Sequence, residues 1–194
     1  MSATTDTAGP GAEQDVVDVL STDHREALDL VAGIKASAGP EERRDLADML
    51  ISELVRHAVA EEMFVYPAMV DHLPGGQQAV DHDVEEHKEL ERTMKELESA
   101  DPAGPEFLGL VDSLEAILRD HIDDEESEQF PQLRTHIPRE QLVTMAGKVE
   151  AAKKVAPTRP HPAAPNSELF HKLVGPGVGL VDRLRDKLTG RATT

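Results

Sequence analysis

Cysteine is absent from all 194 residues. That excludes disulfides, thiolate metal sites and a thiol nucleophile, and it fits a reducing compartment. Any metal must be held by nitrogen and oxygen. Long apolar runs are missing too: no segment approaches the length of a membrane span, and the opening MSATTDTAGPGAEQ has neither the basic cluster nor the apolar stretch of a secretory signal. A soluble, cytoplasmic protein is expected. Basic residues are scarce, 20 against 38 acidic for a formal net charge of −18. Eight of the basic residues fall in residues 153–194 with three acidic ones, leaving twelve basic and 35 acidic for residues 1–152. Such an acidic body repels phosphate backbones, so nucleic-acid binding is not expected of it.

What is present is helical periodicity, broken by Gly and Pro, with no sustained two-residue alternation. Val16, Leu20, His24, Leu28, Val31 and Ile34 share one stripe before SAGP at 37–40. A second stripe holds Leu46, Leu50, Leu54, His57, Glu61 and Phe64, and Pro67 is expected to stop or kink that helix. The third carries Val80, Val84, His87, Met94 and Leu97; the fourth carries Phe107, Leu110, Leu114, Ile117, His121 and Glu125 and closes on Pro131. These features predict an all-α fold, an up-down-up-down four-helix bundle with a C-terminal helical extension. The expected division is a disordered leader over 1–13, the bundle over 14–135, an accessory helix over 136–156, and a Pro-rich linker with a basic amphipathic tail over 157–194. The tail suits docking on the bundle, on a protein partner or on an acidic lipid surface.

One segment is made twice. HAVAEEMFVYP at 57–67 returns 64 positions later as HIDDEESEQFP at 121–131, with His, both Glu, the aromatic and Pro in register. Packing alone would keep apolar positions and let His and Glu drift. Each of the four helices places one histidine on its apolar face, His24, His57, His87 and His121, and Glu61 and Glu125 follow four residues after two of them. Unpaired buried carboxylates are costly, and no lysine or arginine lies on these stripes. Imidazole nitrogens and carboxylate oxygens converging in a bundle describe a metal site, and His24, His57, Glu61, His87, His121 and Glu125 suffice for two metals. If each ion takes two histidines, and both carboxylates bridge along with an oxo or hydroxo ligand, one octahedral position per metal stays open and the centre keeps a positive charge that attracts peroxide and small anions. Nitrogen and oxygen donors suit iron, manganese, zinc and copper alike. His82 is five residues before His87, about 140° round a regular helix, and reads as a surface residue. Glu62 and Glu126 turn away from the site as solvated glutamates, with supporting roles as the alternative. Tyr66, the sole tyrosine, either nears the metals or caps the bundle end, and the Phe130 counterpart favours packing.

With the doubled HxxxEE…YP and HxxxEE…FP pattern over about residues 16–131, the sequence resembles the hemerythrin-like, or HHE cation-binding, family. The resemblance implies a four-helix bundle with a non-haem di-iron centre, two iron ions joined by an oxo or hydroxo bridge and no haem. Its ligands would be His24, His57 with Glu61, His87, and His121 with Glu125, the two glutamates bridging. The oxygen-carrying hemerythrins have two histidines on the third helix and close with Asp five residues after His. This chain has His87 alone and Glu125 at the fourth step, which weighs against reversible oxygen carriage. It is similar to the H, HxxxE, H, HxxxE subgroup, linked to peroxide and nitric-oxide chemistry and to iron sensing. The resemblance therefore implies catalase-like turnover of hydrogen peroxide, or a non-catalytic sensor or binder of O2, NO or iron.

Overall fold

The computed structural model describes residues 13–160 together with Asp186 and Arg191, and those residues hold helices and no strands. The leader expected over 1–13 falls outside them except for Glu13, as does most of the linker and tail expected over 157–194. The helices are α1 Val16–Ala36, α2 Pro40–Ala60, α3 Tyr66–His72, α4 Gly76–Ser99, α5 Pro105–Asp124, α6 Phe130–His136 and α7 Arg139–Lys153. A π-helical turn, Glu61–Val65, joins α2 to α3 without a break, and Glu125–Gln129 joins α5 to α6 in the same way. Four rods result. Helix α1 packs on α2 and α5, and α4 packs on α5 and α2, which makes the sides of a square; α7 lies against α1, α2 and the first π-turn.

Local chemistry fixes the ends. Asp15 and Asp18 form a reciprocal capping box, each carboxylate accepting the other's backbone N–H at 3.1 and 3.0 Å. Arg134 of α6 then grips the Asp15 carboxylate at 3.0 and 2.9 Å, tying the start of the first rod to the end of the fourth. Pro40 and Pro105 open α2 and α5, where a missing N–H costs nothing.

Of the two outcomes expected at Pro67, a stop is ruled out, because the rod runs through it to His72. In a regular α-helix the Pro67 ring would strike the Met63 carbonyl and leave it unpaired. Here the preceding turn is widened, with Tyr66 N–H bonded to the Glu61 carbonyl, and Phe130 N–H is bonded to the Glu125 carbonyl in the fourth rod. The widening also changes which residues share a face. Five α-helical steps separate side chains by about 140°, but a five-residue turn brings Tyr66 back over Glu61 and Phe130 back over Glu125.

Rods three and two meet tightly where α4 begins. A Cβ on Gly76 would lie 2.0 Å from the Met69 carbonyl oxygen and 2.6 Å from its carbon. Since that obstacle is backbone, Gly76→Ala is expected to destabilise the fold by about 1–3 kcal/mol, as overpacking does. A lower denaturant midpoint with an unchanged slope is the result to look for.

The apolar interior has two large parts, beside a small cluster of Val59 and Ala156. One cluster gathers Leu50, Ile51, Leu97, Phe107, Leu114 and their neighbours; the other gathers Leu20, Val65, Met69, Phe130, Leu133 and Leu142. Along every rod the gap between the clusters is where the histidines fall: His24 between Leu20 and Ala27, His57 between Val55 and Ala60, His87 before Leu90, and His121 after Leu118.

Candidate metal centre

A polar layer thus crosses the middle of the bundle, and all six sequence-derived residues meet in it. Glu61 and Glu125 are wholly buried, and His24, His57, His87 and His121 nearly so. The imidazoles form two pairs, His24 with His57 and His87 with His121, each with ring centres 4.9 Å apart. Glu61 lies between His57 Nε2 at 3.2 Å and His87 Nε2 at 3.4 Å. Glu125 Oε2 lies 3.1 Å from His24 Nε2 and 3.5 Å from His121 Nε2. Donor atoms of His24, His57, Glu61 and Glu125 all fall within 4.8 Å of one another, as do those of Glu61, His87 and His121. Glu61 belongs to both sets.

The outer nitrogens decide the tautomers. His24 Nδ1 meets Glu126 at 2.8 Å, His57 Nδ1 meets Asp23 at 3.2 Å, His87 Nδ1 meets Glu62 at 3.3 Å and His121 Nδ1 meets Glu86 at 2.9 Å. An ionised carboxylate only accepts, so each Nδ1 carries the hydrogen and, in a neutral ring, each Nε2 presents a lone pair to the interior. Those lone pairs face carboxylate oxygens. None of the close approaches has hydrogen-bond geometry: Nε2 of His24, His57 and His121 and all four oxygens of Glu61 and Glu125 are buried without a hydrogen-bond partner among the described residues. Lone pairs and anions at 3.1–3.5 Å repel unless a cation sits among them. The donor set therefore fits a bound metal.

Without metal, protons fill that role. Burial pulls the His57 pKa down, but Glu61 and Asp23 outweigh it and hold it well above the ordinary imidazole value. The same contest, with Glu61 and Glu62 winning, lifts His87 to about 10. Burial would raise Glu61, yet the His57 and His87 charges keep it well below the usual carboxylate range. Metal must displace these protons. Glu125 and Glu86 likewise raise His121 against its burial, so at pH 7 metal binding is expected to release about two to three protons per chain, from His57, His87 and His121. Calorimetric titration in buffers of different ionisation enthalpy would show the release, and a heat independent of buffer would contradict it.

The repeat is deeper than the doubled segment. His24 and His87 are 63 positions apart, each directly after an acid, Asp23 and Glu86, that holds the histidine of the other helix in its half. Across the halves, Glu126 holds His24 and Glu62 holds His87. Of the two readings of Glu62 and Glu126, the contacts favour the supporting role: about 100° along the helix from the ligand positions, each reaches a neighbouring rod, Glu126 while still 40% exposed. The aromatics cross over as well, Phe130 stacking on His24 at 5.7 Å and Tyr66 on His87 at 5.6 Å. Of the two alternatives for Tyr66, the side chain takes the place beside the site, its hydroxyl 3.2 Å from His87 Nε2. Burial, and then the charges of Glu61, Glu125, Asp83 and Glu62, push its pKa well above the ordinary phenol value, so it stays a neutral donor.

Sequence reasoning missed Asp23, Glu86 and Asp83. The acid before each lone histidine was the signal for the first two. Asp83 sits one turn before His87 on the inner face, but a search for apolar periodicity passes over a carboxylate. It is fully buried, and burial lifts its pKa to about 7 against the opposing bond from Gln129. His82 is 57% exposed, in keeping with a surface position.

A family model described as the hemerythrin HHE cation binding domain matches residues 15–133. An uncharacterized hemerythrin-like protein of Schizosaccharomyces pombe is 30% identical over 174 residues, 89% of this chain and 86% of that protein. A DNA nickase of a Nostoc species is 28% identical over 141 residues, 73% of this chain but 40% of that protein's length. No solved structure matches.

Proposed function

The chain belongs to the hemerythrin HHE cation-binding family, and from that premise we propose that it is a non-haem di-iron protein that disproportionates hydrogen peroxide, two molecules giving one dioxygen and two waters. The observation that carries the metal reading is the ring of buried Nε2 and carboxylate oxygen atoms that face one another with no hydrogen bond between them. His24 with His57 would hold one ion and His87 with His121 the other, Glu61 and Glu125 lying between. The bound pair supplies two-electron exchange, one peroxide being reduced and the next oxidised.

Substrate size follows from the space available. A cavity of about 20 Å³ adjoins the centre, lined by His57, Glu62, His87, His121 and apolar side chains including Leu90 and Met94. It holds a molecule little larger than water, which supports peroxide over any organic substrate. Glu62 lines this cavity and contacts His87 Nδ1 at 3.3 Å, so its carboxylate is placed to accept a proton from an entering peroxide. The Tyr66 hydroxyl, held neutral, meets His87 Nε2 at 3.2 Å and would serve as a proton donor beside the centre.

A second reading is a binder or sensor of O2, NO or iron without turnover. It is favoured by Asp23, which meets both His57 Nδ1 at 3.2 Å and Lys153 Nζ of α7 at 2.6 Å, so that a charge change at His57 reaches the helix on the bundle's flank. The DNA nicking named for the Nostoc protein is not carried over, because this chain spans 40% of that protein and its formal charge is −18. No helix among the described residues is long and apolar enough to cross a membrane. Peroxide added to the iron-loaded protein in an oxygen electrode separates the two readings. Oxygen release sustained through many equivalents supports turnover; one stoichiometric spectral change, with no continuing gas, supports the sensor.

A further inference from the structure

Two further groups of potential cation ligands lie between the centre and the surface, and they overlap. At the surface, donor atoms of His82, Glu86 and Asp124 fall within 4.8 Å of one another. His82 Nε2 is 3.2 Å from Asp124 Oδ2 and 3.5 Å from Glu86 Oε1. Further in, Asp83, Glu86 and His121 make a second such group, and Glu61, His87 and His121, part of the centre itself, make the third. Glu86 is common to the first two and His121 to the last two. Exposure falls along the series, from His82 at 57% to the fully buried Asp83 and Glu61. A depression of about 420 Å³, lined by Gln78, His82, Asp124, Glu128 and Gln129 among others, opens over the outer end.

Asp83 is the member that packing does not explain. Its Oδ1 accepts a hydrogen bond from Gln129 Nε2 at 2.8 Å, while its Oδ2 and the Gln129 Oε1 are buried with no hydrogen-bond partner among the described residues. A buried carboxylate oxygen left so is costly and asks for a use. The other half of the repeat does without it. Counting back 63 positions, His82 corresponds to Val19 and Asp83 to Leu20, and counting back 64, Asp124 corresponds to Ala60. Only Glu86 keeps its acid, as Asp23, and there Lys153 Nζ lies 2.6 Å away and α7 covers that flank. One side of the bundle is closed by a cation and a helix. The other keeps an unbroken series of oxygen and imidazole donors reaching solvent.

We propose that this series is the route by which ferrous iron reaches the buried centre, with His82, Asp124 and Glu86 receiving the ion at the surface and Asp83 passing it inward to the His87 and His121 side. The proposal rests on the di-iron reading given above. A dication crossing the apolar shell must exchange its water for other ligands step by step, and groups that share a member allow each new oxygen to bind before the last lets go. Incomplete ligand sets hold the ion weakly enough to release it, as conduction requires. Carboxylates lining a low-dielectric passage also draw cations in. Asp83 is a positioning residue here, not a resident ligand.

The test follows iron uptake and not peroxide chemistry. Metal-free full-length protein is mixed with ferrous iron without oxygen, uptake is stopped at intervals with a chelator, and final metal content is measured. Asp83→Asn keeps the shape of the side chain, and a His82→Val, Asp124→Ala double variant restores the residues of the other half. Both are expected to load and to release iron on the order of tenfold more slowly or worse, within the range by which focusing fields alter association, while reaching the wild-type final content. Loading as fast as wild type in both variants overturns the route and leaves the di-iron reading intact. A reduced final content in Asp83→Asn also overturns it, by making Asp83 a resident ligand. Wild-type protein that takes up no iron overturns the route and the di-iron reading together.

Discussion

Glu61→Ala is expected to leave the centre empty. Glu61 is the one residue in both donor sets of the centre, its two oxygens serving His57 at 3.2 Å and His87 at 3.4 Å. Removing it takes away half of the carboxylate charge that offsets the metals and leaves Glu125, which reaches His24 and His121 through one oxygen, as the only carboxylate between the histidine pairs. The neighbouring substitution separates coordination from mere acidity. Glu62→Ala removes a partner of His87 Nδ1 but no carboxylate from between the histidine pairs, and loss of such a support lowers metal affinity by about 10–100-fold. That variant is therefore expected to fill at excess iron. Glu61→Gln offers the same test with the shape of the side chain preserved. Metal analysis after exhaustive desalting gives the answer; full occupancy in Glu61→Ala and Glu61→Gln would show that the bridging assignment is wrong.

Withdrawing the metal is expected to cost the fold about 4 kcal/mol when free metal had stood about a thousandfold above its dissociation constant. For a domain of this size each kcal/mol moves the midpoint by about 2–4 °C, so a fall of roughly 8–16 °C is anticipated on thermal unfolding. The reason is geometric. The polar layer divides the two apolar clusters, and either metal or protons must neutralise it. Protons do so conditionally. The His87 pKa is raised to about 10 in the folded, metal-free chain from an ordinary value of 6.5. A raised value means that its stabilising effect is complete below the unfolded pKa, about 6.5, and is lost as pH climbs through about 10. The metal-free protein should thus weaken from neutral to alkaline pH while the loaded protein does not follow it, and the gap between the two should widen. In acid the ordering changes, because protons compete for the same imidazole nitrogens and metal is released. Scans of both forms across that range check the sign; a gap that narrows toward pH 10 would contradict it.

Much of the layer could be read from the chain because its chemistry is periodic. His24, His57, His87 and His121 each interrupt an apolar stripe, and Glu61 and Glu125 follow at one helical turn, so a regular 3.6-residue period is enough to bring the six together. The parts that escaped are those where the period or the helix boundary fails. Pro67 and Pro131 look like helix stops, yet a five-residue turn absorbs each and the rods continue. That same turn puts Tyr66 beside His87 and Phe130 on His24, positions that a regular helix would face elsewhere. Glu62 and Glu126 look solvated when each helix is taken alone, because their partners are on other rods. Asp83 was hidden by its own polarity, a carboxylate at an inner position where only Leu or Val was sought.

Everything rests on cations lying among Glu61, Glu125 and the four imidazoles, and anomalous scattering from crystals of the iron-loaded protein at the iron edge tests that most directly. Two peaks about 3.5–4 Å apart, as in other paired-metal sites, are expected, one beside His24 and His57 and one beside His87 and His121, with the glutamate oxygens between. An iron-soaked crystal with no peak there, in which each Nε2 instead carries a hydrogen bonded straight to Glu61 or Glu125, would contradict the metal centre and leave protons as the only cations in the layer.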